Sequence, residues 1–159
     1  MANSSNAAMA VLDTRVDSVI VFSGSKTMGP DAPSEAELMY RTFAKRLGIL
    51  KSRMEKAGIS SPESIVVPDR PAGTTSWEIT IGSKSVTVFL EEDSVDTEDN
   101  AEKTSAILER LAASGKYDEI VVSPMSSDFH VKRVRQAFER NVGHDIIPMS
   151  AESELANAG

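Results

Sequence analysis

The chain has 159 residues, of which 40% are hydrophobic and 26% charged, and its formal net charge is −7. This length and composition predict one globular domain with its own core, and they exclude disordered and membrane-embedded proteins. The absence of cysteine excludes disulfides, thiolate zinc sites and cysteine nucleophiles, and the negative charge argues against a nucleic-acid partner.

The first half of the chain predicts a strand followed by helices. Residues 18–22 (Ser-Val-Ile-Val-Phe) are rich in β-branched side chains and predict a buried strand. A helix is predicted from Ser34 to Leu47, because Ser34 and Glu37 have the spacing of a capping box. Gly48 is predicted to end this helix, and a second, short helix is predicted over residues 50–57, closed by Gly58.

The middle of the chain is typical of strands joined by turns. Residues 64–67 predict a strand, and the Asp69–Gly73 segment that follows is typical of a loop. The apolar alternation over 77–81 and 85–90, on either side of Gly82, predicts a β-hairpin.

Helices and strands alternate again after this hairpin. A helix is predicted from Thr97 to Ala113, with Thr97 as its N-cap, and a strand over residues 119–123. A further helix is predicted from Asp128 to about Asn141, and a last strand over 145–148. The tail beyond Ser150 is predicted to be frayed.

This alternation predicts right-handed βαβ crossovers, and hence a three-layer α/β/α fold with a mainly parallel sheet and an inserted hairpin over residues 58–90. One domain is expected over residues 1–150, with a tail over 151–159. Ligands of such folds bind beyond the carboxyl ends of the strands. The loops of interest therefore follow Phe22, Leu90 and Ser123.

The first two of these loops carry short polar side chains. Ser23-Gly24 lets backbone N–H groups approach an anion, and Ser34-Glu35 opens the next helix, although a turn with a helix cap explains the same residues. Residues 91–100 include the candidates Glu91, Ser94, Asp96, Thr97 and Asn100. Their carboxylates would orient hydroxyls, hold a divalent cation or act as a general base, or form only a solvated acidic face. The spacing matches no metal-ligand code, so no metal ion is expected.

The third loop places Ser127, His130 and Arg133 at the start of a helix. Histidine suits proton transfer near neutral pH, and arginine presents a fork that matches phosphate or carboxylate. Two basic residues oppose the helix dipole at this end, so helix stability does not require them. An ordinary surface histidine and arginine remain the alternative interpretation.

Together the three loops resemble the YdcF-like domain family, which also includes SanA and ElyC. The resemblance rests on four segments in order, each matching the family pattern: Ser23-Gly24, Ser34-Glu35, the set Glu91, Ser94, Thr97 and Asn100, and the set Ser127, Phe129, His130 and Arg133. Asp96 and Asp99 stand where the pattern has Asn and Glu, and Ser126 where it has Thr. The family begins with another strand that ends in a glycine-rich loop, and we expect this strand to be missing, because Met1–Thr14 looks like the helix that follows it.

The resemblance implies a Rossmann-like fold and an enzyme-like site whose reaction is not established. We expect a hydrolase or transferase that acts on, or binds, a phosphorylated or nucleotide-like small molecule, with His130, Glu35, Glu91 and Asp96 as catalytic candidates. The alternatives are a non-catalytic binding module and an interaction domain that uses the 58–90 hairpin. The cofactor and the oligomeric state stay open. No segment has the ~20 apolar residues of a membrane helix, and residues 1–10 do not look like a signal peptide, so we expect a cytoplasmic protein.

Overall fold

A computed structural model of the chain describes residues 18–58, 65–81, 84–117, 119–126, 128–147 and 149–150. Within these residues the fold is mixed α/β, with three helices and eight strands. The helices are α1 (Glu35–Lys56), α2 (Thr97–Ala113) and α3 (Asp128–Asn141). The strands are β1 (Ser18–Ser23), β2 (Ile65–Val66), β3 (Ser76–Ile81), β4 (Lys84–Glu91), β5 (Val121–Val122), β6 (Met125–Ser126), β7 (Asp145–Ile146) and β8 (Met149–Ser150). None of the described helices has the length and apolarity needed to cross a membrane.

Four strands form a mixed sheet in the order β1-β4-β3-β2. β1 and β4 run parallel, and their last residues, Ser23 and Glu91, are register partners. β3 is antiparallel to both β4 and β2. The predicted hairpin is therefore confirmed as β3 and β4, but it lies within the main sheet, since β4 is an inner strand of that sheet. Two short parallel pairs, β5 with β7 and β6 with β8, complete the described strands.

Several sequence predictions fall on residues that the structure does not describe. These are the expected helix over residues 1–14, the turn residue Gly82, the site residue Ser127 and the tail over 151–159. A mainly parallel, three-layer arrangement of the whole chain also stays a prediction, because the four-stranded sheet is mixed.

The main core lies between α1 and one face of the sheet. Phe43 is fully buried at its centre, and its ring lies 5.5 Å from that of Phe22 and 6.3 Å from that of Tyr40. The inward side chains of β4, Val86 and Val88, are also fully buried in this cluster. A second apolar cluster joins α2 and α3 to β5 through residues that include Ala101, Leu108, Val122, Ala137, Phe138 and Val142.

Helix α1 continues through Gly48, so the predicted helix end there and the predicted second helix at residue 50 are wrong. Glycine in a helix interior costs only about 0.5–1 kcal/mol relative to alanine, and packing of the apolar stripe outweighs this cost. The stripe runs from Tyr40 and Leu47 to Met54, which packs against the main core. Gly58 closes the helix as predicted, in the left-handed conformation with φ +68°.

The continuous helix makes Gly48→Ala a stabilising change. A Cβ at this exposed position would meet nothing within 4 Å, so the free energy of unfolding should rise by about 0.5–1 kcal/mol. Urea denaturation measures the change. Gly115→Ala is the matched control, because its Cβ would also meet nothing within 4 Å but its φ is +70°, and we expect it to destabilise the protein. A loss of stability in Gly48→Ala would mean that α1 is interrupted at this residue.

Candidate functional site

Four polar side chains meet where β1 and β4 end. The hydroxyl of Ser23 contacts Glu91 Oε2, lies 2.8 Å from Asn100 Oδ1 and lies 3.3 Å from the hydroxyl of Ser94. These contacts join the ends of two parallel strands to the first turn of α2. We call Ser23, Glu91, Ser94 and Asn100 the strand-end cluster. All four were predicted site residues, and the structure brings them together.

The Glu91 carboxylate is the buried centre of this cluster, with Glu91 only 7% exposed. Its Oε1 accepts the backbone N–H groups of Asp93 and Ser94, at 2.8 and 2.9 Å. Its Oε2 accepts the hydroxyl of Ser23. A buried carboxylate needs such donors to compensate for lost hydration. Glu91 therefore fixes the loop after β4 and the orientation of the Ser23 side chain.

The hydrogen-bonding capacity of Ser23 is used up within the cluster. A hydroxyl carries one proton, and here that proton goes to Glu91. Asn100 Oδ1 lies 2.8 Å from Ser23 Oγ, and with that proton on Glu91 the two side chains share a hydrogen bond only if the Asn100 amide is rotated so that its N–H faces Ser23. Ser23 therefore links the ends of β1 and β4 to α2.

Gly24 provides a close backbone approach rather than an open anion site. A Cβ on Gly24 would lie 2.8 Å from Glu35 Cβ, so only glycine fits between the loop and α1. The Gly24 N–H donates to the carbonyl of Glu91 at 2.9 Å. The carbonyls of Gly24 and Ser25 accept the N–H groups of Ala36 and Glu35, at 3.2 and 3.0 Å. The first amides of α1 are therefore already hydrogen-bonded within the protein.

A second polar cluster, formed by Arg70, Glu92, Ser34 and Glu37, lies beside the first. Arg70 binds Glu92 in a bidentate pair, at 3.0 and 2.8 Å, and also reaches Glu37 at 3.0 Å. Ser34 is fully buried, donates to Glu92 at 2.6 Å and caps α1 by accepting the Glu37 N–H at 3.0 Å. We call this set the Arg70 cluster. It holds the loop before β3 against the start of α1.

Charge pairing in the Arg70 cluster shifts the acid–base properties of its members. The hydrogen bonds from Arg70 lower the pKa of Glu92, and the bond from Ser34 lowers it further. The pKa of Arg70 is raised by the same contact. Arg70 and Glu92 were not among the predicted site residues. The single sequence signal was an arginine in the Asp69–Gly73 loop, which does not reveal partners 22 and 33 residues away.

The acidic residues at the start of α2 serve the helix itself. Asp96 is the N-cap and accepts the Asp99 N–H at 2.9 Å, so the prediction of Thr97 as N-cap is wrong. A carboxylate caps better here because it also offsets the helix dipole. Asp99 accepts the Val95 N–H at 2.9 Å. Thr97 is the first residue of α2.

His130 and Arg133 lie in the first two turns of α3, and both are exposed. The hydrogen bonds from Arg140 and Asn141 lower the pKa of Glu98 on α2, and the charge of Arg133 adds a smaller contribution. Glu35 is exposed as well, and its Oε1 accepts the hydroxyl of Thr27 at 3.2 Å. That His130 and Arg133 join the strand-end cluster stays a prediction.

Among the residues that the structure describes, no group of three or more His, Asp or Glu side chains is arranged to hold a metal ion. No protein-family model, curated protein or solved structure matches the chain.

Proposed function

We propose that the chain is a YdcF-like domain that binds and acts on a phosphorylated or nucleotide-like small molecule at the carboxyl ends of its strands. The observation that carries this proposal is the strand-end cluster. Two parallel strands end side by side at Ser23 and Glu91, where polar side chains from two strands and a helix converge. Parallel α/β sheets bind their ligands at this kind of edge.

A Rossmann-like arrangement would bring the third loop to the same edge. Within the described residues β1 pairs on one side only, with β4, whose other side is occupied by β3. The chain leaves β4 through α2 and returns in β5, and such crossovers are right-handed and join parallel strands of one sheet. We therefore propose that β5, which the structure describes as paired with β7, lies along the open edge of β1. The proposed order, β7-β5-β1-β4-β3-β2, would be mainly parallel.

Alternation along the strands adds support for helices on both faces of this sheet. Phe22 and Leu90 pack in the core with α1. Ser23 and Glu91 are the next residues along, so their side chains point to the opposite face, where Ser23 contacts Asn100 of α2. Three layers with β5 beside β1 would set the start of α3 next to the strand-end cluster.

The proposed roles follow from which side chains are exposed to solvent. Arg133 is exposed and would hold the anionic group of the ligand, and His130 would act as the acid or base. Glu35 and Asp96 are exposed carboxylates that would orient the substrate or a water molecule. Ser23, Gly24, Ser34 and Glu91 have their polar groups engaged and would position the others.

Thermal unfolding in the presence of nucleotides, sugar phosphates, prenyl phosphates and adenosyl-methionine tests this proposal. A ligand at 100 times its Kd adds about 2.7 kcal/mol of stability, which is roughly 5–10 °C for a domain of this size. We expect the shift to vanish in Arg133→Ala and to persist in Arg135→Ala, an exposed arginine of the same helix that pairs with Glu139 at 2.7 Å. His130→Ala should then bind the same compound but lose turnover.

Other outcomes separate the alternatives. Binding with no turnover of any bound compound would make the chain a non-catalytic binding module. An equal shift in Arg133→Ala, or no shift with any compound, would contradict the proposal. The interaction-domain alternative has less support, because Ile79 and Val86 of the hairpin are buried in the main core.

A further inference from the structure

Helix α1 carries a basic outer surface on a protein that is otherwise acidic. Residues 41–56 contain six Lys or Arg residues and one Glu, giving a net charge of +5, whereas the whole chain carries −7. Lys51 reaches back to the carbonyl of Ile65 at 3.4 Å. The other five basic side chains are exposed: Arg41, Lys45, Arg46, Arg53 and Lys56.

Apolar side chains interrupt this basic surface along one line. The face of α1 opposite the core carries two apolar and two basic side chains, Leu38, Lys45, Ile49 and Lys56. They share this face because they are spaced by seven, four and seven residues. Leu38 is 41% exposed and Ile49 is 38% exposed. An apolar groove on this side of α1 is lined by Glu35, Leu38, Met39, Arg41, Thr42 and Lys45. We call the surface formed by Leu38, Arg41, Lys45, Ile49 and Lys56 the α1 outer face.

We propose that the α1 outer face binds an acidic peptide segment of a partner protein, an activity beyond the function proposed above. An apolar side chain of the segment enters the groove beside Leu38 and Met39, and its flanking carboxylates pair with Arg41 and Lys45. Arg41 already pairs with Glu37 four residues earlier. Arg41 is exposed, and Glu37 also binds Arg70, so exchanging Glu37 for a partner carboxylate leaves Glu37 paired and costs little.

Local charge favours a short acidic segment over an extended polyanion. Outside residues 41–56 the chain carries −12, which repels a nucleic acid or an anionic membrane that extends past the helix. Screening limits charge interactions to about 8–10 Å at physiological salt, so a short segment is exposed mainly to the field of the helix. Two exposed apolar side chains separated by eleven residues also provide little area for insertion into lipid.

Fluorescence anisotropy with a labelled twelve-residue peptide, containing one leucine among glutamates, tests the proposal. We expect binding that weakens with salt, and that is lost when the glutamates become glutamines or the leucine becomes serine. Lys45→Glu should weaken binding about tenfold, since one attractive contact becomes repulsive. Lys132→Glu is the control, because it changes the net charge equally at an exposed position on α3. Leu38→Ser tests the apolar contact.

Several results would overturn the proposal: no peptide binding, equal weakening in Lys45→Glu and Lys132→Glu, or full binding by Leu38→Ser. A DNA duplex or phosphatidylserine vesicles that bind in a Lys45-dependent way, while the peptide does not, would assign the face to that polyanion instead. The ligand-dependent thermal shift of the proposed function should be unchanged in Lys45→Glu, so the two proposals fail independently.

Discussion

Replacing Phe43 with alanine is expected to lower the free energy of unfolding by about 3–5 kcal/mol. Phe43 is fully buried, and its ring packs against those of Phe22 and Tyr40 at centroid distances of 5.5 and 6.3 Å. Alanine would remove these contacts and leave a cavity between α1 and the sheet. The free energy of unfolding of a domain is about 5–15 kcal/mol in total, so this change would remove a large part of it. Urea denaturation followed by circular dichroism measures the loss.

A control on the same helix distinguishes burial from helix propensity. Leu38 is 41% exposed, so Leu38→Ala should change the free energy of unfolding by no more than about 0.5 kcal/mol. Phe43→Leu keeps much of the volume and should give an intermediate loss, which remains measurable if Phe43→Ala does not fold. Equal losses in Leu38→Ala and Phe43→Leu would contradict the described packing of α1.

Local signals were sufficient to predict the later helices. The predicted bounds of α2, Thr97–Ala113, and of α3, Asp128–Asn141, agree with the structure. A 3.6-residue apolar period specifies such helices within a short window of sequence, even though the N-cap of α2 is Asp96 and not the predicted Thr97. Gly48 shows where this kind of reasoning fails, because packing against a sheet that lies elsewhere in the sequence decides whether a glycine interrupts a helix.

The strand-end cluster was predictable because topology places its members. Ser23 and Glu91 were expected at the carboxyl ends of strands, and in a parallel pair those ends lie side by side. The Arg70 cluster was not predictable in this way. Arg70 reaches Glu37 and Glu92 from a loop, and the path of a loop depends on the elements it joins rather than on a local pattern.

Predicting where a polar residue lies is different from predicting what its side chain does. Ser34 and Asp96 were predicted as site residues, and in the structure each accepts a backbone N–H as a helix N-cap. Short polar side chains at strand-to-helix junctions suit both caps and ligand sites. A sequence pattern alone does not separate these uses. Solvent exposure does separate them, because Ser34 is fully buried whereas Glu35, Asp96, His130 and Arg133 are exposed.

Glu91 offers the sharpest test of the strand-end cluster, because two substitutions at this residue should behave very differently. In Glu91→Ala, the N–H groups of Asp93 and Ser94 lose their acceptor, whereas the hydroxyl of Ser23 can turn to Asn100 Oδ1. Unsatisfied buried donors cost about 1–3 kcal/mol each, so we expect a loss of about 2 kcal/mol or more. Exposed Glu78 on β3 supplies the control, and Glu78→Ala should change stability by less than about 0.5 kcal/mol.

Glu91→Gln should instead lower the free energy of unfolding by only about 1 kcal/mol, because the hydrogen bonds between residues 91, 23 and 100 can reverse their direction. The glutamine oxygen would still accept both backbone N–H groups, and its amide nitrogen would donate to Ser23 Oγ. Ser23 would then donate its own proton to Asn100 Oδ1, 2.8 Å away. Urea denaturation of both variants gives the difference, and equal losses would contradict this network. A folded Glu91→Gln protein that no longer shows a ligand-dependent thermal shift would mean that the proposed site needs the negative charge of Glu91, and a retained shift would limit Glu91 to holding the strand ends together.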